Sequence, residues 1–375
     1  MTKIILLFAA LIATSCQTTV SKTPPLSSNQ VLNNQVKNDK KRQSELDLPF
    51  RGFPIDQSVQ TIAFGSCADQ DQPQPIWYSI EKNQPDLMIM LGDNVYAASP
   101  GQKPISEQYN KMKRISEYRS IREKVPFMAI WDDNDFGQND GGESNPEKEE
   151  ARNQFLKNWP YVKYLTTDKD GALYHSKMFG DKKTSLQVIL LDTRFNRSDL
   201  KKNDRETEDE KKNEPKPYLP DDSKNKHLLS EAQWQWLENE LKKPAAFRII
   251  GSSIQLIAND HYFEKWGNFP NDRDRFFKLL KKLKIKNALV ISGDRHMASI
   301  AKKEISGLGD LYDVTSSGLN KPARPGNNLS DKSYLNEGYG LVNFGLIKIN
   351  WLEKTAHVEI RSQSNDPVQT VDVKF

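Results

Sequence analysis

The chain has 375 residues, with 54 basic against 50 acidic side chains and a formal net charge of +4. Acids interleave with bases throughout, which excludes the broad basic face of a nucleic-acid-binding module, and no motif points to a protein partner. Apolar residues are 36% of the chain and gather in short runs, enough for one large domain or two small ones.

The first residues read as a targeting segment (1–15). "MTK" carries a positive charge, "IILLFAALIA" is apolar, and "TSC" follows. A bilayer-spanning helix needs roughly 20 apolar residues, so this stretch is too short to span. The small residues before Cys16 resemble a bacterial lipobox, in which that cysteine becomes the lipidated first residue. Ala13 stands where leucine is more usual, and a plain signal peptide with a chance cysteine is the alternative. A lipid anchor at Cys16 makes the chain an exported, membrane-attached lipoprotein, periplasmic or on the outer membrane; Gln17 is compatible with outer-membrane sorting. Residues 16–57 are polar and proline-containing and read as a flexible tether. The domain then runs from 58 to 375. The second and last cysteine, Cys67, has no partner if Cys16 is lipidated, so either burial or a metal–thiolate bond accounts for it.

Strands are expected at "TIAFGS", "DLMIML", "PFMAIW", "SLQVILLD", "FRIIGSS" and "ALVISGD". Helical patterns alternate with them: one through "SEQYNKMKRISEYRSIREK", one over "SEAQWQWLENELKK" with capping-box spacing at Ser230 and Gln233, and one over "DRDRFFKLLKKLK". A charged, proline-bearing stretch at 197–226 reads as a surface loop. The later runs "LYDVTSS", "GLVNFGLIKINW", "HVEIRS" and "TVDVKF" look like an antiparallel ending. Together these predict one mixed α/β domain.

Four of the runs, "AFGSC", "IMLGDNVY", "AIWDDND" and "VISGDRH", end in small or acidic residues. Ligands bind at the carboxyl ends of strands in α/β sheets, so the four endings can converge on one site. In "GDNVY", Asp93 can bridge two cations, and Tyr96 suits a hard trivalent ion such as Fe³⁺. In "SGDRH", Asp294 and His296 are two apart and point to one side of an extended segment. Cys67 offers a thiolate. "WDDNDFG" is either an ordinary acidic turn or a metal-site loop, with Asn134 at its centre.

These signatures, with "ILLDTRF", "GSSIQLIANDHYFEKWGNFP" and "YDVTSSGLN", in this order from about Thr61 to Leu319, resemble the PhoD-like (alkaline phosphatase D) family of the calcineurin-like metallophosphatase superfamily. The resemblance implies a four-layer αββα sandwich with a dinuclear metal centre at the strand ends. It implies that Asp93 bridges the metals, that Cys67 and Tyr96 bind the iron-like ion, and that Asp133, Asp294 and His296 complete the shells. Asp132 and Arg295 would sit nearby and, with Asn134, are the expected catalytic residues. Fe³⁺ with Ca²⁺ is the favoured pair, with Mn²⁺ or Zn²⁺ as alternatives, and a water activated by them would attack a phosphate mono- or diester in line.

The departure is Asn134. Related sequences usually have histidine there, and an amide can donate a hydrogen bond but cannot transfer a proton. Two outcomes stay open: a metal-dependent phosphoesterase, or a catalytically weakened surface lipoprotein of the same fold that binds a phosphate-bearing ligand. Gln255, His261 and Arg194 are candidate substrate contacts. For His261 loop structure is the alternative, for Gln255 support of another group, and for Arg194 an ion pair with Asp192 or another carboxylate.

Overall fold

The structure, a computed structural model, describes residues 48–49, 51–54, 57–98, 104–167, 169–208, 216–323 and 329–375. The expected signal segment, Cys16 and almost all of the tether lie outside the described residues, as does the middle of the charged stretch 197–226. The described residues all belong to one unit, Leu48–Phe375.

Two six-stranded mixed sheets form the frame of this unit. In the first, β1 (Thr61–Gly65), β2 (Leu87–Leu91) and β3 (Phe127–Ile130) run parallel. β12 (Asn343–Asn350), β13 (Thr355–Ser362) and β14 (Pro367–Lys374) continue it antiparallel on the other side of β1. In the second, β5 (Leu186–Leu190), β8 (Phe247–Ser252), β9 (Ala288–Ser292) and β11 (Gly309–Ser316) are parallel, flanked by antiparallel β4 (His175–Phe179) and β10 (Ala298–Ile305). "LYDVTSS" is thus β11, parallel to β9 rather than part of the antiparallel ending.

Period-2 geometry decides which residue faces which layer. Val188 and Leu190, Ile249, and Leu289 and Ile291 share one apolar cluster with the strands of the first sheet. Their neighbours Ile189, Ile250 and Val290 belong to a second cluster, under α7 (Glu231–Lys242) and α8 (Pro270–Leu283). Strands buried on both faces read as continuous apolar runs, which is why they were visible in the sequence.

On the first sheet's side lie α1 (Ile76–Glu81), α2 (Ile105–Met112) and α3 (Ser116–Lys124), followed by α4 (Asp133–Phe136), α5 (Lys148–Asn158) and α6 (Val162–Leu165). The single helix expected over 106–124 is two, because Ile115 is extended (φ −71, ψ 116) and caps the second. The capping box of α7 is half made. Ser230 Oγ accepts from Gln233 N at 3.1 Å, but the Gln233 amide reaches instead to the backbone of Asp192. Within the charged stretch, β6 (Lys201–Lys202) pairs with β7 (Tyr218–Leu219), and Arg197 at its start is buried. Among the described residues no helix is long and apolar enough to cross a membrane.

Candidate metal centre

The parallel strands of both sheets deliver their carboxyl ends to one place. Cys67 follows β1, Asp93 and Tyr96 follow β2, Asp132 to Asn134 follow β3, and Asp294 to His296 follow β9. Nine described non-glycine residues have positive φ, and four of them are Cys67 (64°), Asp93 (49°), Asp294 (69°) and His296 (55°). Such conformations cost of order 1 kcal/mol or more each and persist only where the surroundings impose them. Close packing does so here. A Cβ on Gly92 (φ +100) would lie 2.3 Å from Asp132 Cβ, and one on Gly293 would lie 2.6 Å from Ser66 Oγ. Both glycines let adjacent strand-end loops touch.

Three groups of ligand atoms fall within 4.8 Å of one another: Cys67, Asp93 and His296; Asp93, Asp132 and Asp133; and Asp133, Glu264 and Asp294. Asp93 and Asp133 each belong to two groups. The Cys67 thiol lies 3.5 Å from Asp93 Oδ2 and 3.0 Å from Ser317 Oγ. Tyr96 Oη is 3.1 Å from His296 Nε2, and the Tyr96 backbone is clamped in both directions by the Gln70 amide. Lys321, paired with Asp69 at 3.0 Å, stands 3.6 Å over the Tyr96 ring.

Within "WDDNDFG" each residue has a separate task. Trp131 is core, stacked with Phe195. Asp132 Oδ1 accepts from Arg194 Nε at 2.6 Å and Ser253 Oγ at 2.5 Å, while its buried Oδ2 has no hydrogen-bond donor. Asp133 accepts from the Asn134 amide at 2.9 Å and from Asp140 N at 2.8 Å. Asn134 also donates its backbone N–H to Asp93 Oδ1 at 3.3 Å. Asp135 points away from the ligand groups and serves as a clamp, accepting from Asn94, Tyr109 Oη and Asp132 N.

The electrostatics ask for cations. Burial, then Asp133 and Asp132, push Asp93 well above the usual carboxylate range, and burial, then Asp132 and Asp133, do the same to Asp294. Asp132 is pushed up to about 6, burial outweighing Arg194. Burial and Asp93 also raise Cys67 and Tyr96. Buried like charges of this kind are stable only when neutralised by protons or by ions. A thiol, a phenol, an imidazole, shared carboxylates and a buried carboxylate oxygen without a donor form a donor set that fits a cluster of metal ions.

Arg194 is wholly buried and spans Asp132 and Glu264, each at 2.5 Å. Of its two expected uses, the structure realises the ion pair, with Asp132 and Glu264 rather than Asp192, which accepts backbone N–H groups instead. Gln255 is wholly buried as well. Its amide donates to Thr315 Oγ1 at 2.7 Å and accepts at 3.0 Å from His261 Nε2, so it supports His261. His261 and Arg295 lie at the partly exposed edge of the site, both packed around Phe263. Glu264, which with His261 and Trp266 belongs to the family-like loop "NDHYFEKWGNFP", open in the sequence between substrate contact and loop structure, is buried and paired with Arg194 and Arg197. Only the folded chain sets it beside Asp133 and Asp294.

Two mixed sheets with a cluster of potential ligand residues at their strand ends give the protein an α/β fold shared with solved phosphatase structures. Its fold matches the structure of PhoD over 87% of this chain and 70% of that one (TM-score 0.63, 16% identity). A dimetal phosphatase from Danio rerio matches over 85% of this chain and 100% of that one (TM-score 0.53, 13% identity). More particularly, the PhoD-like phosphatase profile matches residues 62–316, and the chain belongs to that family. It is 25% identical over 290 residues to alkaline phosphatase D of Bacillus subtilis (strain 168), covering 66% of this chain and 47% of that relative's length.

Proposed function

We propose that the protein is an exported, metal-dependent phosphoesterase that hydrolyses phosphate mono- or diesters. The carrying observation is the sharing of Asp93 and Asp133 between adjacent ligand groups, the arrangement by which one carboxylate serves two neighbouring cations. Cys67, Tyr96 and His296 would hold one ion with Asp93, and Asp133 and Asp294 would hold its neighbour, within an αββα sandwich. The thiolate and phenolate favour Fe³⁺ beside Ca²⁺, with Mn²⁺ or Zn²⁺ as alternatives. Bound cations would acidify a water and take up charge on the phosphoryl oxygens. Arg194 and Ser253 hold Asp132 in place, and the backbone N–H of Asn134 steadies Asp93. The Asn134 amide is turned onto Asp133 and has no proton to give a leaving alkoxide, which favours esters with good leaving groups.

The test is turnover of 4-nitrophenyl phosphate and bis(4-nitrophenyl) phosphate by the full chain, loaded with Fe³⁺ and Ca²⁺ or with Mn²⁺ or Zn²⁺. Turnover that a chelator removes is expected, and the ratio of the two rates assigns the ester class. Metal-retaining protein that turns over neither ester supports the second reading, which the Asn134–Asp133 contact favours: a surface lipoprotein that binds a phosphate-bearing ligand. Export and a lipid at Cys16 are part of the proposal, resting on "IILLFAALIATSC". Cys16→Ala should move the protein from the membrane to the soluble fraction; unchanged fractionation would remove the anchor.

A further inference from the structure

Three basic side chains gather around Phe263 at the edge of the centre. The Arg295 guanidinium stands 4.6 Å over the Phe263 ring, Lys265 Nζ donates to the Phe263 carbonyl at 3.1 Å, and the His261 ring is 6.3 Å from that of Phe263. Among the described residues none of the three has a carboxylate partner in an ion pair. Asp331, whose charge bears on Lys265, is already spent: its Oδ2 accepts from Asn259 N and Asp260 N, both at 2.7 Å, and its Oδ1 from Ser333. Lys265 is only 3% exposed, and Arg295 Nε is a buried donor without a hydrogen-bond partner. The uncompensated charge is felt locally: burial, then Arg295 and Lys265, hold His261 well below its usual range. A buried ammonium and a half-exposed guanidinium left unpaired are costly unless an anion completes them. Arg295 also lies between Asp294 and His296 in the chain, so its Cα is about 3.8 Å from that of each. An anion on its guanidinium therefore lies about one arginine side chain's reach from those two residues, on the side of Phe263.

We infer that Arg295 and Lys265, with His261 as their wall, form an anion subsite for a second anionic group carried by the leaving group of the phosphoester. This rests on the phosphoesterase reading and narrows it to doubly anionic substrates, with a carboxylate or a further phosphate close to the scissile ester. Arg295 makes the contact, with donors in a fork that matches either oxyanion, and Lys265 adds charge.

Two secondary phosphate esters that differ in one anionic group test it: 2-phosphoglycerate and glycerol 2-phosphate, with the full, metal-loaded chain. The kcat/KM for 2-phosphoglycerate should be higher by about tenfold, the scale of one charge-assisted contact. Arg295→Met should erase that ratio, whatever it does to the overall rate, and Lys265→Met should reduce it a few-fold. Equal kcat/KM values in the parent protein, or a preference that survives Arg295→Met, would overturn the subsite and leave the phosphoesterase reading standing. If neither ester turns over, the phosphoesterase reading stands or falls on the nitrophenyl esters, and calorimetric binding of the same two compounds decides the subsite. Tighter 2-phosphoglycerate binding that depends on Arg295 upholds it, and equal affinities overturn it.

Discussion

The strand ends around Asp93 and the C-terminal run β12–β13–β14 handle charge and backbone in opposite ways. At the strand ends, Cys67, Asp93, Asp294 and His296 are held at positive φ, with Asp93 buried and Asp294 half-buried among other carboxylates. Along the C-terminal run the β12–β13 register is unbroken from Asn343↔Ser362 to Asn350↔Thr355. Its polar groups pair locally, Lys348 with Glu359 in an ion pair at 3.0 Å and His357 Nδ1 with Asp372 in a hydrogen bond at 2.7 Å. In the C-terminal run positive φ at non-glycine residues is confined to the turn residues Lys354 and Asn365, and one register shift falls at Ile360/Arg361. The strand-end region is held against its local preferences by the two sheets beneath it, and becomes stable as a whole only when its charge is answered.

The largest expected effect belongs to the strand ends. Asp93→Asn should lose metal and turnover together, by roughly 10³-fold or more, since several kcal/mol of charge stabilisation leave with the ions. In chelator the same variant should melt no lower than the parent, because one carboxylate is removed from a crowd of them. An active, metal-free Asp93→Asn protein would sink the metal mechanism. Next comes Asn134→His, which restores a proton donor. Rates on esters with poor leaving groups should rise by about 10²-fold, the lower range for general acid catalysis, and far less on nitrophenyl esters. An unchanged rate on both would mean that Asn134 does not limit turnover.

Acidity separates the two regions further. Asp132 is pushed up to about 6 and Asp135 up to about 7, in both cases by burial first, against about 3.9 in an unfolded chain. A raised carboxyl pKa means that the native state keeps its proton while the unfolded state loses it. The resulting stability is fully present below about pH 4 and is lost as pH rises through about 6 to 7. Metal-free protein should therefore melt at falling temperature across that window, and added metal should flatten or reverse the trend by favouring the ionised ligands. A metal-free melting temperature that stays level across the window would mean the carboxylates are ionised throughout. The smallest effect belongs to the surface: Lys348→Ala should cost no more than about 1 kcal/mol in a denaturant melt and leave turnover unchanged.

Much of this was legible because buried parallel strands leave contiguous apolar runs, and each run ended in a recognisable group: "GSC", "GDNVY", "WDDND", "GDRH". The edge strand β4 was not legible. "HSKMF" carries little apolar signal, and only pairing with β5 fixes it. Asp132, Asp133 and Asp135 look alike in the sequence, yet one meets an arginine, one faces the ligand groups, and one clamps a neighbouring loop. Gln255 showed the same limit. Nothing local says whether a glutamine after a strand faces substrate or is buried beneath a histidine.

The sequence by itself determined the α/β class, the order of the strand-end motifs and the residue types offered at each, because these depend on local periodicity and composition. The tertiary structure decided which sheet each strand joined and which carboxylates became neighbours. It also drew Glu264 under Arg194 and Arg197, and left Arg295 and Lys265 without an ion-paired carboxylate among the described residues. Those outcomes depend on distances between residues tens to hundreds of positions apart, and such distances exist only once the two sheets have packed.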